Sequence, residues 1–252
     1  MQHIEFNLIT KDHLQLYAQS WLPEKTPKAI INLVHGLGEH SGRYAHLATY
    51  LTQAGYALLA FDLRGHGKSD GQRGHAPNYS IVMEDIDLFL KETVQRYPHC
   101  PGFLYGHSLG GNLIINYVLR YRPPLRGAIA TGPALQPAVE PSFWKILVGN
   151  LMYNIRPTLS LPAGLNTQAI SRNPEVVRRY QQDKLVHNQV TVGFGLDILE
   201  AGEWALRYAA EFSLPLLLMH GSEDRLTSVQ ASREFALKVG QRCTLKIWEN
   251  LY

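Results

Sequence analysis

Apolar and polar positions recur along the chain in two rhythms, and the changes of rhythm mark out strands and helices. Residues 4–9 and 14–21 carry β-branched and aromatic side chains around a polar Lys11-Asp12-His13, which predicts an opening antiparallel hairpin. Ala29-Ile-Ile-Asn-Leu-Val34 is a nearly continuous apolar run, the pattern of a strand covered on both faces. Helical spacing follows from about residue 43 to 53, and Tyr56-Ala-Leu-Leu-Ala-Phe61 is a second such strand, so the three form a crossover unit. Val82, Met83, Ile86, Phe89, Leu90 and Val94 recur at helical spacing, with Glu84, Asp85 and Asp87 in the early turns. Pro98 and Pro101 close that amphipathic helix. Phe103-Leu104-Tyr105 is the next apolar run, and Leu113, Ile114, Val118 and Leu119 place a helix after it. Strands are expected at 125–130, 214–219 and 244–248, with a helix from 228 to 239 ended by Gly240.

From residue 133 to 212 the alternation lapses. Pro137, Pro141, Pro157, Pro162 and Pro174 punctuate this stretch, and its first part holds Phe143, Trp144, Ile146, Leu147, Leu151, Met152 and Ile155. It is too long for a bare loop and reads as an inserted helical subdomain. The chain thus divides into a first core part (1–132), a cap or lid (133–212) and a second core part (213–252). The apolar helix either packs on the core or forms the greasy underside of a lid that receives an acyl chain.

Three motifs carry chemistry. Gly106-His107-Ser108-Leu109-Gly110 sits where a strand turns into a helix, the context of a nucleophile elbow. A serine on that strained turn projects its hydroxyl above the sheet, and side chains at 106 and 110 would collide with the closely packed backbone. His35-Gly36-Leu37-Gly38 ends an earlier strand. The N–H groups of Leu109 and Leu37 are the candidate pair for an oxyanion hole, and His35 is a loop-orienting hydrogen-bonder rather than a base. Asp224, in the loop after a late strand, is the candidate triad acid, with Glu223 beside it. The glycine-rich stretch 62–71 lacks the frame of a P-loop and reads as structural, with Asp62 and Arg64 bonding the loop backbone.

Composition narrows the function classes. Hydrophobic residues are 45% and charged residues 18% of 252, and no stretch is apolar enough to span a bilayer. A formal charge of +3 without a basic cluster gives no nucleic-acid face. Cys100 and Cys243 lack metal-ligand spacing and read as free thiols, and the start shows no secretory pattern, so a cytoplasmic enzyme is the default.

With these pieces together the chain resembles the α/β-hydrolase superfamily and, within it, the monoacylglycerol lipase and lysophospholipase family. The resemblance rests on His35-Gly-Leu-Gly-Glu-His-Ser-Gly-Arg-Tyr44, Gly106-His-Ser-Leu-Gly-Gly111, Gly65-His66-Gly67-x-Ser69-x-Gly71, Ser171-Arg172-Asn173 and Gly221-Ser222-x-Asp224-Arg225-Leu226. It implies an α/β-hydrolase fold with a helical cap, and hydrolysis of a small-molecule single-chain lipid ester with no metal or organic cofactor. It also implies an alcohol pocket near Glu39 and Arg43, reached by Tyr180 from the cap, and transient membrane-surface contact through the cap. Asp183-Lys184-Leu185-Val186 departs from the family by lacking a proline after the aspartate.

In this superfamily the triad runs serine, acid, histidine. The resemblance puts the histidine directly after Trp248-Glu-Asn-Leu-Tyr252, where the given chain stops, so the expectation is a longer enzyme whose base lies beyond Tyr252. His35, His66, His75, His107 and His220 all precede Asp224, and His107 is expected to point away from Ser108. The alternatives are a noncatalytic ligand-binding protein on the same fold, and a thioester or short-ester hydrolase.

Overall fold

The opening hairpin forms as its pattern requires: β1 (Gln2–Ile9) pairs antiparallel with β2 (Gln15–Leu22), in register from Gln2 opposite Leu22 to Ile9 opposite Gln15. The computed structural model describes residues 1–139 and 143–252, apart from the side chains of residues 143–146, 148 and 150. The side chains of Phe143, Trp144 and Ile146 therefore lie outside the described residues.

After the hairpin come β3 (Ile30–Val34), α1 (Ala45–Gln53), β4 (Ala57–Phe61), α2 (Tyr79–Arg96), β5 (Gly102–His107), α3 (Leu109–Tyr121) and β6 (Gly127–Thr131). The 133–212 stretch holds α4 (Phe143–Ile155), β7 (Ser160–Pro162), α5 (Pro174–Gln182), β8 (Gln189–Thr191) and α6 (Val192–Tyr208). The chain then completes the sheet with β9 (Leu216–Gly221), α7 (Val229–Val239) and β10 (Cys243–Trp248). The main sheet has eight strands in the order β1-β2-β4-β3-β5-β6-β9-β10, antiparallel through β2 and parallel from β4 onward. β7 and β8 form a separate antiparallel pair.

Every residue of β3 and β4 is buried, because both sheet faces are covered. Ile30, Val34, Leu59 and Phe61 join the large cluster with α2, α3 and α7, while Ile31, Leu33, Leu58 and Ala60 pack with Tyr44 and Ala48 on the other face. The last helix of the 133–212 stretch, α6, is tied to α3. Asn112 Nδ2 donates to the Ile198 carbonyl at 3.2 Å and Asn116 Nδ2 to that of Ala201 at 3.1 Å, and Ala205 and Leu206 are buried in the large cluster.

Two local expectations need correction. Arg64 does not bond its own loop: its buried guanidinium reaches Asp85 at 2.6 and 2.8 Å and Asp12 at 2.9 Å. A buried cation needs carboxylate partners, and these come from α2 and the hairpin turn. Asp62 does serve the loop, accepting from the Lys68 N–H at 2.8 Å and the Ser41 N–H at 2.7 Å. The second correction is β6, which begins at Gly127 rather than 125, because the Leu125 N–H turns back to the Pro123 carbonyl. The Asp183 turn closes without a proline, through Asp183 Oδ1 accepting from the Leu185 N–H at 3.0 Å.

Candidate active site

The C-terminal ends of β3, β5 and β9 face one side of the sheet, and the chemistry gathers there. Ser108 joins β5 to α3 at φ 52 and ψ −116, a conformation that costs a non-glycine residue on the order of 1–3 kcal/mol. Its backbone is held on both sides: the N–H donates to the Thr131 carbonyl at 2.9 Å, and the carbonyl accepts from Asn112 and Ala134 at 3.1 and 3.0 Å. The glycines make the turn possible. A Cβ on Gly106 would lie 2.2 Å from the Gly110 carbonyl oxygen, and one on Gly110 would lie 1.9 Å from that of Val34. Ser108 is thus fixed against both its own helix and the end of β3.

The loop after β3 touches this elbow. A Cβ built on Gly36 would be 3.3 Å from Ser108 Cβ. His35 is buried, and its Nε2 accepts from the Leu63 N–H at 2.9 Å, so Nδ1 carries the proton and donates to the Gly36 carbonyl at 2.8 Å. Burial pushes the His35 imidazole below its ordinary value, consistent with this neutral tautomer. A trans peptide directs its N–H opposite to its C=O, so the Leu37 N–H faces away from His35. Among the described residues, neither the Leu37 nor the Leu109 N–H is engaged in a hydrogen bond. Leu109 opens α3, where the first N–H groups have no intrahelical partner.

Glu39, Arg43 and Tyr180 come together. Glu39 Oε1 accepts from the Gly36 N–H and the Tyr44 hydroxyl, both at 2.7 Å, and Oε2 accepts from Arg43 Nε at 3.2 Å. Burial alone would raise the Glu39 carboxyl, but the attraction of His107 and the hydrogen bonds from Tyr44 and the Gly36 N–H outweigh it and hold it below its ordinary value. The Arg43 guanidinium lies 4.6 Å from the centre of the Tyr180 ring on α5. His40 Nε2 meets Asp183 Oδ2 at 2.9 Å, and the His187 N–H donates to the Gly38 carbonyl at 2.9 Å. The 133–212 stretch is therefore tied to the loop after β3 at several points.

Asp224 lies across a cavity of about 350 Å³ that Ser108 also lines, with His107, Thr131, Ile170, His220 and Tyr252 among its other walls. β6 alone separates β5 from β9 in the sheet. At about 4.8 Å per strand, the elbow and the acid loop start about 10 Å apart, room for one ring between them. Asp224 Oδ1 accepts from the Leu226 and Thr227 N–H groups at 2.7 and 2.9 Å, and Oδ2 from the Thr227 hydroxyl at 2.8 Å. His220 Nε2 is 3.2 Å from Oδ2. Burial raises the Asp224 carboxyl, yet the bonds from His220, Thr227 and Leu226 prevail and hold it below the usual carboxylate range, ionised at neutral pH.

His220 was excluded by chain order alone, and sequence reasoning missed its contact with the acid. Its Nδ1 faces Ser232 Oγ on α7 at 2.8 Å, so both ring nitrogens are engaged beneath the cavity. The signal available was its spacing of four residues from Asp224 at the end of one strand. His107 is among the residues lining that cavity, with Nδ1 3.0 Å from Thr131 Oγ1 on the neighbouring strand.

An apolar groove of about 330 Å³ is lined by Leu37 and, from the 133–212 stretch, by Leu161, Val190, Leu196 and Leu199. Over residues 25–252 the chain matches the family described as serine aminopeptidase, S33. It belongs to that family. An abhydrolase domain-containing protein of Dictyostelium discoideum is 39% identical over 251 residues, 98% of the present chain, which spans 26% of that protein's length. The monoglyceride lipase of Rattus norvegicus is 34% identical over 249 residues, 98% of the present chain and 82% of its own. The crystal structure of Paleococcus ferrophilus monoacylglycerol lipase is 32% identical with a TM-score of 0.83, covering 100% of this chain and 90% of that one. The S33-family chain thus has the α/β-hydrolase fold, with its elbow where this mostly parallel sheet exposes strand ends.

Proposed function

We propose that this S33-family chain is a serine hydrolase that cleaves carboxylic esters of single-chain lipids, monoacylglycerols or lysophospholipids, through an acyl-enzyme on Ser108. One observation carries the reading: Leu37 offers an unengaged N–H beside the elbow and is also among the residues that line the apolar groove. A carbonyl held at that N–H has its acyl chain directed into the groove. The relatives named monoglyceride lipase and monoacylglycerol lipase support the same substrate class.

In this mechanism Ser108 Oγ attacks the ester carbonyl and its proton passes to the triad histidine that the family resemblance implies, whose tautomer the Asp224 carboxylate would fix. The Leu37 and Leu109 N–H groups take the charge of the tetrahedral oxyanion. The imidazolium then protonates the departing alcohol, which leaves past Arg43, Glu39 and Tyr180. Water adds to the acyl-enzyme by the same route and releases the fatty acid. The 133–212 stretch acts as the cap over the groove.

A chain-length series of monoacylglycerols tests the substrate class. Each methylene that enters the groove contributes ~0.8 kcal/mol, so kcat/KM rises about fourfold per carbon until the groove is filled. A preference for acetyl or butyryl esters, or for thioesters, would contradict the lipid assignment.

The cap also supports contact with a lipid surface. Leu147, Leu151 and Ile155 are 47%, 60% and 66% exposed at successive four-residue steps on α4, one apolar face turned outward. No helix among the described residues is long and apolar enough to cross a membrane. Flotation with phospholipid vesicles should recover the wild-type protein, and Leu151→Asp with Ile155→Asp should lower the bound fraction at least about tenfold. Equal recovery of the variant would argue against the contact.

A further inference from the structure

We infer that Glu39 is a positioning residue for the oxyanion hole, its buried carboxylate fixing the direction of the Leu37 N–H by holding Gly36. This rests on the ester-hydrolase reading of Ser108. Gly36 is held at both of its peptide groups: its N–H donates to Glu39 Oε1 at 2.7 Å and its carbonyl accepts from His35 Nδ1 at 2.8 Å. The two peptide planes flanking one α-carbon define its φ and ψ. A glycine left with one of them free would explore a wide range of both, and the Leu37 N–H, which lies in the plane of the Gly36 carbonyl, would move with it.

The surroundings of the carboxylate suit this task better than contact with an alcohol. Oε1 already receives two donors, Gly36 and Tyr44, and Oε2 faces Arg43. Tyr44 is buried in the core cluster beneath α1, so the carboxylate is anchored to the packed body of the protein rather than to the cap. Arg43 offsets the negative charge, which would otherwise oppose an oxyanion forming nearby. The arrangement is a clamp with a fixed base and a neutralised charge, closing on the residue that packs against Ser108.

Glu39→Ala and Glu39→Gln separate positioning from alcohol recognition. Glutamine keeps an acceptor for the Gly36 N–H and alanine does not. With one acyl chain esterified in turn to glycerol, methanol and p-nitrophenol, E39A is expected to lower acylation by about 10- to 100-fold for all three, with KM little changed. E39Q should recover most of that loss. By hydrogen exchange, the Gly36 amide should exchange at least about tenfold faster in E39A than in wild type or E39Q, while β3 amides stay protected. A rise in KM confined to the glycerol ester, or unchanged exchange at Gly36 in E39A, would overturn the inference. If the wild-type protein turns over no ester, the hydrolase reading fails, and the exchange measurement still decides whether Glu39 holds the loop.

Discussion

Replacing Ser108 with alanine is expected to lower ester turnover by about 10⁶, the scale on which loss of the nucleophile acts in triad enzymes. The fold should persist. Ser108 is held through its backbone, by Thr131, Asn112 and Ala134, and none of these bonds uses the hydroxyl. Alanine keeps a Cβ and so keeps the strain of φ 52, whereas Ser108→Gly should remove it and raise the unfolding free energy by about 1 kcal/mol. Chemistry and stability therefore move in opposite directions at this residue. Turnover in the alanine variant within tenfold of wild type, with esters matched to the groove, would show that the reaction does not run through Ser108.

Gly110→Ala should damage both the fold and the reaction. Its Cβ would sit 1.9 Å from the Val34 carbonyl oxygen and 2.7 Å from that of His35, both backbone atoms at the end of β3. Neither can swing aside as a flexible side chain could, so α3 and the β3 end must separate. Overpacking of this kind costs about 1–3 kcal/mol or more in unfolding free energy. The functional loss should be larger, because the displaced elements carry Ser108 and the loop of Leu37. A misplacement near 1 Å costs about 10²-fold in rate. Denaturant midpoints and kcat measured on the same preparation check both effects. A variant with wild-type kcat would show that the elbow and oxyanion loop do not need this close approach.

Much of the sheet was legible because its strands announce themselves locally. β3 and β4 are buried on both faces and read as continuous apolar runs, and the hairpin reads from two β-rich segments around a polar turn. The elbow was legible for a different reason: glycine is demanded at 106 and 110 by backbone contact, so it leaves a mark in the sequence. What escaped depends on partners far along the chain. Arg64 gives no sign that its carboxylates are Asp85 and Asp12, and nothing in residues 192–208 shows that α6 will pack along α3 through Asn112 and Asn116. The same holds at the site. Asp224 could be chosen from its place after β9, but the Thr227 and His220 bonds that keep it ionised arise only when the loop folds back over the strand end. Glu39, Arg43 and Tyr180 were joined by resemblance, and the structure brings them into contact, with Glu39 turned toward Gly36.

The central claim is that Ser108 is an activated nucleophile. The protein, treated with a fluorophosphonate bearing a long alkyl chain and digested, should carry the phosphonyl adduct on Ser108 and on no other serine. Labelling should be lost in Asp224→Asn. An adduct on a different residue, or no adduct at all, would contradict the account.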